Sequence, residues 1–464
     1  MNENILHNII DNKKVLILGF GKEGRSTYQF LRQYFPDKLF WIADNDKALT
    51  ENYLFHPNEK LSFILGDTYL NSLSDYDLII KTPGISLKNL PNLQLQNLNI
   101  TSQTELFLQL FSKQVIGITG TKGKSTTSNL IYSILKSYTN NVVLVGNMGF
   151  PPFDQVANID NNSFIVFEMS SHQLENCKVA PHFSILLNLF QEHLDHYQTY
   201  KDYQLAKFNI AKFQLTNDYF ICNADNNEIN VTLKELQIAA KHICFSLLQE
   251  VKYGCFVKNN MIYYKDDKSC VAYYDINLPR NLKGEHNLLN IMAAINVCKL
   301  IGIPDNLIID GIGNFKGLEH RIEYVGNFDG VNYYNDSIST IPEATIAAVN
   351  ALKSVNTLLL GGFDRGIEYS KLAEFLAQSS ICNLIFIGEA GKRILSEIMK
   401  FECLNKFLFE ANSFEQAVEI AIHKTEKAKI CLLSPAAASY DMFKNFEERG
   451  NRFKELVSKS KLYR

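Results

Sequence analysis

One segment of this chain has the sequence Val115-Ile-Gly-Ile-Thr-Gly120-Thr121-Lys122-Gly123-Lys124-Ser125-Thr126-Thr127. Its apolar start predicts a buried strand, its glycines a tight turn, and the apolar spacing that follows a helix. A strand, a glycine-bearing turn and a helix that begins at Lys-Ser form an arrangement that holds phosphate groups. An ordinary strand-to-helix turn is the alternative, and the order of the elements disfavours it.

The residue types of this loop suit a polyphosphate. The glycines let backbone N–H groups approach phosphate oxygens, Lys124 supplies a mobile positive charge for the outer phosphates, and Ser125 offers a hydroxyl to Mg²⁺. The loop departs from the full Walker motif at one position, because Ile118 stands where the first glycine would fall.

The composition predicts a globular protein. The 464 residues carry a net charge of -3, with 46% hydrophobic and 20% charged side chains, and this length predicts about three domains. No basic stripe indicates nucleic acid, and no apolar run approaches the ~18 residues of a membrane span. No secretory signal is evident at the N-terminus. Nine cysteines without a CxxC pair indicate reduced thiols in the cytoplasm.

The first segment, residues 1–100, carries a dinucleotide-binding fingerprint. A predicted strand leads into Gly19-Phe-Gly21-Lys22-Glu-Gly24, and Asp44 follows about 20 positions later at the end of a second strand. Taken alone the motif predicts NAD, but the same turn also holds other nucleotide diphosphates. Thr82-Pro-Gly84 ends a further strand at the edge where open α/β sheets bind ligands.

The second segment, residues 101–316, places polar groups at strand ends beside the phosphate loop. Glu168 follows the apolar strand 164–167, and His193 follows the strand 184–188. We expect both to act in acid–base chemistry or metal binding. The alternatives are a helix-capping neighbour for Glu168 and an ordinary hydrogen-bonded histidine for His193.

A lysine interrupts an apolar helical stripe in this segment. A helix is predicted from Tyr200 to Gln214, with Tyr203, Ile210 and Phe213 facing the core at helical spacing. Lys207 falls on the same stripe. Such a lysine either extends its ammonium group to water or has a function, and the sequence leaves both possibilities open.

The third segment, residues 317–464, predicts a doubly wound α/β domain. Its predicted strands are Val331–Asn335, Thr357–Leu360, Leu384–Ile387, Phe407–Phe409 and Ile430–Leu433. Three strand ends lead into loops whose small and polar residues suit phosphate or carboxylate ligands, namely Asn335 to Pro342, Gly361 to Gly366 and Ser434 to Ser439. Ordinary connecting loops are the alternative.

Motifs in all three segments occur in an order that resembles a known family. They are Gly120 to Thr126, Gly146-Asn147-Met-Gly149, Phe167 to Ser171, Asn188 to Tyr197, Gly284 to Asn290, His320-Arg321 and Asn335-Asp336. Together they resemble the Mur ligases, the ATP-dependent enzymes that build the peptidoglycan stem peptide. Ser434 to Ser439 and Asn445 to Phe453 are most similar to the branch that adds D-glutamate to UDP-N-acetylmuramoyl-L-alanine.

The resemblance implies an α/β protein of three domains. Residues 1–100 would form a Rossmann-like domain that binds the UDP-sugar, so that the fingerprint holds a uridine diphosphate group and not NAD. Residues 101–316 would form a central P-loop ATPase domain with a mostly parallel sheet. Residues 317–464 would form a Rossmann-like domain that binds the amino acid.

The resemblance also implies roles for individual residues. Lys124 would contact the ATP phosphates, Ser125 and Glu168 one Mg²⁺, and His193 with a carbamylated Lys207 a second Mg²⁺. Carbamylation turns a buried cation into an anionic oxygen ligand. The adenosine part of ATP would meet Asn287, Asn290, Arg321 and Asp336. The nucleotide sugar would meet Gly19, Gly21, Lys22, Asp44, Thr82 and Asn147, and the incoming amino acid and muramoyl group would meet Thr340, Arg365, Ser439 and Phe446.

Two positions depart from the family pattern. Ile338 stands where a lysine is frequent after Asn335-Asp336-Ser337, which removes a cation near the substrate. Arg365 stands in the glycine loop where another lysine is frequent, which keeps the charge and adds a fork suited to carboxylate.

The implied activity is amide-bond formation through an acyl phosphate, by a protein that we expect to be a monomer. Four alternatives remain. They are a folylpolyglutamate-type ligase, which the Ser434 to Ser439 loop disfavours, a Mur ligase that adds L-alanine or a diamino acid, a nucleotide-switch protein that hydrolyses ATP without ligation, and the dehydrogenase that the fingerprint alone would indicate.

Overall fold

The computed structural model describes residues 3–52, 60–88, 90, 97–146, 150–192, 196–282, 284–352, 354–401 and 406–459. Helices alternate with mostly parallel strands throughout this part of the chain, which confirms the α/β class. The chain divides into two compact units, Met1–Phe315 and Lys316–Arg464. The second boundary predicted from the sequence lies one residue from this division, and the three-domain division stays a prediction.

The first sheet of unit 1 is parallel, in the order β3-β2-β1-β4-β5. Its strands are β1 (Val15–Leu18), β2 (Phe40–Asp44), β3 (Leu61–Leu65), β4 (Leu78–Lys81) and β5 (Ile100–Thr101). Its helices are α1 (Glu3–Ile10), α2 (Lys22–Tyr34), α3 (Leu49–Asn52) and α4 (Gln103–Phe111). The strand order reverses between β1 and β4, and ligands of open α/β sheets bind at such a point, at the carboxyl ends of the strands.

The second sheet has the order β14-β13-β12-β11-β10-β9-β6-β8-β7, parallel from β7 to β12 and antiparallel beyond. Its strands are β6 (Val115–Thr119), β7 (Val142–Gly146), β8 (Phe164–Glu168), β9 (Phe183–Leu186), β10 (Tyr219–Asn223), β11 (Lys241–Ser246), β12 (Gly254–Lys258), β13 (Met261–Lys265) and β14 (Cys270–Asp275). Its helices are α5 (Lys124–Tyr138), α6 (Ser171–Leu174), α7 (Tyr200–Lys212), α8 (Asn227–Glu235), α9 (Glu285–Ile301) and α10 (Asp305–Asn314). Short 3-10 turns cover Leu73–Asp75, Ser112–Gln114 and Pro152–Asn158.

Unit 2 contains the third sheet, in the order β15-β16-β20-β17-β18-β19, with β15 antiparallel. Its strands are β15 (Glu323–Phe328), β16 (Val331–Asn335), β17 (Val355–Gly361), β18 (Asn383–Ile387), β19 (Phe407–Ala411) and β20 (Ile430–Leu433). Its helices are α11 (Pro342–Leu352), α12 (Ser370–Gln378), α13 (Gly388–Ile398), α14 (Phe414–Lys424) and α15 (Phe446–Ser458). The five strands predicted for this segment are confirmed.

One apolar cluster joins the first two sheets. It includes Phe30 of α2 and Phe153 of the Pro152–Asn158 turn, whose rings stack with centroids 3.9 Å apart and planes at 17°. Unit 2 has separate apolar clusters, one containing Leu358 and Leu360, the other containing Leu359. Alternate residues of β17 therefore face different clusters, as expected of a strand in a sheet covered on both faces.

The prediction for the lysine-bearing helix is confirmed except at its end. Tyr203, Lys207 and Ile210 are buried, whereas Phe213 is 39% exposed. The helix ends at Lys212, so the stripe does not continue to Phe213. Among the described residues, no helix combines the length and apolar character that crossing a bilayer would require.

Candidate active site

The phosphate loop connects β6 to α5 and touches α9. Gly123 precedes α5 with a φ of 87°, a left-handed conformation that favours glycine. A Cβ atom at this position would lie 2.5 Å from Oδ1 of Asn290. The glycine is therefore required by both the turn and the close approach of α9.

Lys124 folds back over its own loop. Its Nζ donates hydrogen bonds to the carbonyl oxygens of Gly120, at 2.9 Å, and Thr121, at 3.1 Å. The ammonium group thus lies on the loop at the start of α5, where phosphate oxygens would be met by the helix N-terminus.

Ser125 and Glu168 meet beside this loop. The hydroxyl of Ser125 donates to Oε1 of Glu168 at 3.1 Å, and both side chains are buried. The contact follows from the sheet, because β6 and β8 are parallel neighbours whose carboxyl ends coincide. A hydroxyl and a carboxylate are oxygen donors of the kind that Mg²⁺ binds.

Lys207 reaches the same loop from α7. Its side chain is 2% exposed, and its Nζ donates to the carbonyl oxygen of Gly120 at 2.9 Å. Burial holds the pKa of Lys207 well below its usual value; the charge of Lys124 lowers this pKa further, and Glu192 and Glu168 oppose the shift. His193, predicted to act with Lys207, lies outside the described residues. Among the residues described, no three His, Cys, Asp or Glu side chains form a metal-binding group.

Other residues hold the loop in place. Thr121 Oγ1 lies 2.8 Å from the hydroxyl of Tyr203, and the backbone N–H of Lys122 donates to Oδ1 of Asn188 at 2.8 Å. The ammonium group of Lys122 pairs with Glu192. The sequence did not indicate these roles for Tyr203 and Glu192, although Tyr203 shares the stripe of Lys207.

Asn287 and Asn290 lie in the first two turns of α9. Nδ2 of Asn290 donates to Oδ1 of Asn287 at 3.1 Å. The approach of Asn290 to Gly123 places this pair beside the phosphate loop. The structure thus places the two asparagines that were predicted to contact adenosine beside the phosphate loop, within unit 1.

The fingerprint turn is closed by its own acidic residue. The backbone N–H of Phe20 donates to Oδ2 of Asp44 at 2.6 Å, and the hydroxyl of Thr82 donates to the carbonyl of Leu18 at 3.1 Å. A Cβ atom at Gly19, whose φ is 90°, would lie 2.1 Å from Oγ1 of Thr82. Asp44 and Thr82 therefore shape the turn directly.

A cavity of about 220 Å³ lies beside this turn and is shared by the first two sheets. The residues that line it are Lys22, Glu23, Pro83, Gly146, Pro151, Ser170 and Gln173. The predicted contact Asn147 follows Gly146 and lies outside the described residues. The cavity thus joins the carboxyl ends of β4, β7 and β8 to the start of α2.

In unit 2, Asp336 follows β16 and is buried. It accepts hydrogen bonds from the N–H of Ile322, at 3.1 Å, and the hydroxyl of Ser434, at 2.7 Å. Burial raises the pKa of Asp336 to about 6, opposed by these hydrogen bonds and by the charge of Arg321. Arg321 and Asp336, predicted from separate motifs, therefore interact electrostatically.

The three loops predicted in this unit lie next to one another. Nη2 of Arg365 donates to the carbonyl of Thr340 at 3.0 Å, and the hydroxyl of Ser337 donates to the carbonyl of Phe446 at 2.8 Å. Ser439 is buried. The third loop joins the first, because the N–H of Ala436 donates to the carbonyl of Ser339 at 2.9 Å. Thr340, Arg365 and Ser439 therefore lie in adjoining loops, and Phe446 begins α15 beside Ser337.

Arg449 of α15 joins these loops and was not singled out from the sequence. Its guanidinium donates to the hydroxyl and carbonyl of Ser337 and to the carbonyls of Ala437 and Ala438, at 2.8 to 3.1 Å. A Cβ atom at Gly362 would lie 3.1 Å from its Nη1. Burial lowers the pKa of Arg449 to about 10. Arg449 lies four residues before Phe453 on the buried face of α15. It is therefore a cation on an apolar helical stripe, and the same pattern had identified Lys207.

Comparison with known proteins agrees with these features. Residues 118–298 match the Mur ligase middle domain. The chain is 34% identical over 97% of both chains to the UDP-N-acetylmuramoylalanine–D-glutamate ligase of Clostridium botulinum. It is also 34% identical to the enzyme of that name from Caldanaerobacter subterraneus, over 97% of this chain and 98% of that one.

A solved structure shares the fold. The MurF ligase of Thermotoga maritima in complex with ADP is 16% identical, with a TM-score of 0.55 over 96% of this chain and 95% of that one. The identity with the two curated relatives extends over nearly the whole length of each protein, well beyond the middle domain. This chain therefore belongs to the Mur ligase family.

Proposed function

We propose that this protein is the ATP-dependent ligase that adds D-glutamate to UDP-N-acetylmuramoyl-L-alanine in peptidoglycan precursor synthesis, acting as a cytoplasmic monomer. The observation that carries the proposal is the 34% identity, over 97% of both chains, to a ligase named for this reaction. The phosphate loop, the buried Ser125–Glu168 pair and the amino-acid loops of unit 2 supply the chemistry that the reaction needs.

ATP binds with its phosphates on Gly120 to Thr126. When ATP binds, the ammonium group of Lys124 leaves the loop carbonyls and contacts the outer phosphates. An anionic phosphate is a stronger hydrogen-bond partner than a neutral carbonyl. Asn287 and Asn290 contact the adenosine part from α9, beside the phosphate loop.

The oxygen donors at the loop fit Mg²⁺. Ser125 and Glu168 would hold one ion, and His193 with a carbamate on Lys207 a second. The low pKa of Lys207 supports the carbamate, because only the neutral amine reacts with CO₂. Bound Mg²⁺ would neutralise charge that develops on the phosphates during transfer.

The nucleotide sugar binds at the fingerprint turn, with Gly19, Gly21, Lys22, Asp44, Thr82 and Asn147 around it. Asp44 and Thr82 act by holding the turn in shape. The cavity lined by Lys22 and Ser170 runs from this turn to the edge of the central sheet, which supports a path for the muramoyl group towards the phosphate loop.

D-Glutamate binds in the loops of unit 2. Arg365 pairs with one of its carboxylates, since a guanidinium fork matches carboxylate geometry. Thr340, Ser439 and Phe446 surround the amino acid. Arg449 positions the loops that carry them.

The reaction proceeds through an acyl phosphate. A free carboxylate does not react usefully with an amine, because oxide would have to leave. Transfer of the γ-phosphoryl group of ATP to the alanyl carboxylate breaks the bond to the β-phosphate, releases ADP and creates a phosphate leaving group, with Lys124 stabilising the charge that develops. The amine of D-glutamate then attacks the carbonyl carbon, and the tetrahedral intermediate collapses to amide and phosphate.

The test is ATP-dependent phosphate release in the presence of UDP-N-acetylmuramoyl-L-alanine. D-Glutamate should stimulate release, whereas L-glutamate, L-alanine and diaminopimelate should not. Stimulation by one of the other amino acids would contradict D-glutamate as the substrate. Release that needs no muramoyl substrate would indicate a nucleotide switch and overturn the proposal.

A further inference from the structure

The side chain of Glu23 lies at a helix N-terminus, a position that favours an anion. It is the second residue of α2, in the fingerprint turn, and it lines the cavity beside Lys22. The N-terminus of a helix favours negative charge, and a diphosphate held by this fingerprint would use the same feature. The Glu23 carboxylate and the diphosphate would therefore compete for the positive N-terminal end of α2.

The protein gives the Glu23 carboxylate little compensation. Oε1 is shielded from solvent and has no hydrogen-bond partner among the residues that the structure describes, and Oε2 receives a long contact of 3.4 Å from Nε2 of Gln173. The charge of Lys81, a buried lysine of β4, acts on Glu23, but its Nζ lies 3.1 Å from Oε2 of Glu175, which already balances that charge. A carboxyl group with an unsatisfied buried oxygen is most stable in its neutral form.

The backbone around Glu23 is fixed. Nε2 of Gln103, from α4, donates to the carbonyl of Glu23 at 3.2 Å and to the hydroxyls of Ser26 and Thr27. The turn therefore cannot easily carry the carboxylate away when a ligand enters. The other charged groups described near the turn are Lys22 and Arg25 of α2 itself, and Asp44 of β2, whose carboxylate accepts a hydrogen bond from the N–H of Phe20.

We propose that Glu23 is a neutral carboxylic acid when the nucleotide sugar is bound, so that binding of the diphosphate takes up a proton from solvent. This inference rests on the proposed function, because it concerns the same nucleotide site. Burial already raises the pKa of Glu23 to about 7 in the free protein, with Gln173 and Lys81 opposing the shift. A diphosphate in the adjoining cavity adds like charge and raises this pKa further.

The consequence is a pH-dependent affinity. Above about pH 7 the free protein holds an ionised Glu23, which must be protonated on binding, so the apparent Kd should rise by up to about tenfold per pH unit. Below that pH the group is already neutral and the dependence disappears.

The experiment is titration calorimetry of the full chain with UDP-N-acetylmuramoyl-L-alanine, in two buffers that differ in ionisation enthalpy. At about pH 8 the wild type should take up close to one proton per nucleotide, and at about pH 5.5 close to none. Glu23→Gln, which keeps the shape of the side chain, should take up none at either pH and should bind more tightly than the wild type at about pH 8. Glu51→Gln, at an exposed glutamate of α3, is the matched control and should behave as the wild type.

Binding by the wild type without proton uptake would overturn the inference and leave the proposed function standing. Proton uptake that persists in Glu23→Gln, or that is lost in Glu51→Gln, would overturn the inference in the same way. A wild type that binds no nucleotide sugar at all would overturn the proposed function, and this inference with it.

Discussion

The ammonium nitrogens of Lys124 and Lys207 both donate to one carbonyl oxygen, that of Gly120, at 2.9 Å each. The two side chains come from different helices, α5 and α7, and converge on one turn. Two like charges on a shared acceptor repel, and Lys207 is the more deeply buried. The proton of Lys207 is therefore the one that the site disfavours, as the direction of its pKa shift indicates.

Replacement of Lys124 by alanine should abolish most of the ligase activity and leave the fold intact. Loss of one group that stabilises developing charge costs roughly 2.7–4 kcal/mol, or about 10²–10³ in rate. Steady-state phosphate release and circular dichroism measure the two effects. Lys136→Ala, at an exposed lysine in the last turn of the same helix, is the control. Retention of about half the wild-type rate would contradict the role.

Replacement of Lys207 by alanine should leave the enzyme nearly inactive, and short carboxylic acids should restore part of the rate by supplying the missing oxygens. Lys207→Arg should not be rescued, because it keeps a fixed cation beside Lys124. Lys212→Ala, at the exposed end of α7, should have little effect.

The carbamate itself is observable by ¹³C NMR of the wild type in labelled bicarbonate. An active enzyme with Mg²⁺ bound and a bare ammonium group at Lys207 would rule the modification out.

Replacement of Arg365 by alanine should raise the KM for D-glutamate far more than the KM for ATP. The reason is the loss of a cation that can pair with a carboxylate from the loop after β17. Lys371→Ala, an exposed lysine on α12, is the comparison variant. An equal change in both constants would show that Arg365 does not recognise the amino acid.

Replacement of Arg449 by lysine should loosen the loops of unit 2. Lysine keeps the charge, but its single nitrogen cannot reach the acceptors on both loops that the guanidinium bridges. Hydrogen bonds to charged groups contribute about 1.5–3 kcal/mol each, so the Tm should fall measurably and the KM for D-glutamate should rise. Arg452→Lys, on the same helix with exposed partners, serves as the control. Unchanged values for Arg449→Lys would remove its positioning role.

Replacement of Glu23 by glutamine should change the pH dependence of stability in the absence of ligand. The pKa of Glu23 is about 7 in the folded protein against an ordinary 4.5. The stability contributed by the neutral acid is therefore fully present below pH 4.5 and is lost as the pH rises through 7. Thermal melts should show Glu23→Gln more stable than the wild type above pH 7, with the difference shrinking towards pH 4.5. A difference that is constant with pH would show that the carboxyl does not titrate in this range.

Local patterns predicted the strand ends, and with them the positions of Glu168 and Asp336; the turn after β6 placed Ser125 at the start of α5. Apolar runs identify buried parallel strands, and the residues after them lie at one edge of a sheet. The stripe that identified Lys207 failed at Phe213, because helix ends are set by local capping and not by the apolar period.

Contacts between distant residues could not be predicted in the same way. Glu23 in the first turn of a helix has the pattern of an ordinary dipole-stabilising acid, and its contacts with Gln173 and Gln103 come from residues far along the chain. The sequence associated Asp44 with the fingerprint as a ligand contact, whereas its bond to the N–H of Phe20 depends on the pairing of β1 with β2. Such relationships depend on tertiary packing, which one sequence does not display.

The stacked rings of Phe30 and Phe153 have a consequence for folding cooperativity. Because they belong to one apolar cluster that continues from the first sheet into the second, neither sheet can open without exposing the other's core to water. A fragment that ends after the first sheet would lack Phe153, so it would present the ring face of Phe30 to solvent and would tend to aggregate. In hydrogen-exchange measurements the amides of both sheets should therefore lose protection together, as one cooperative unit.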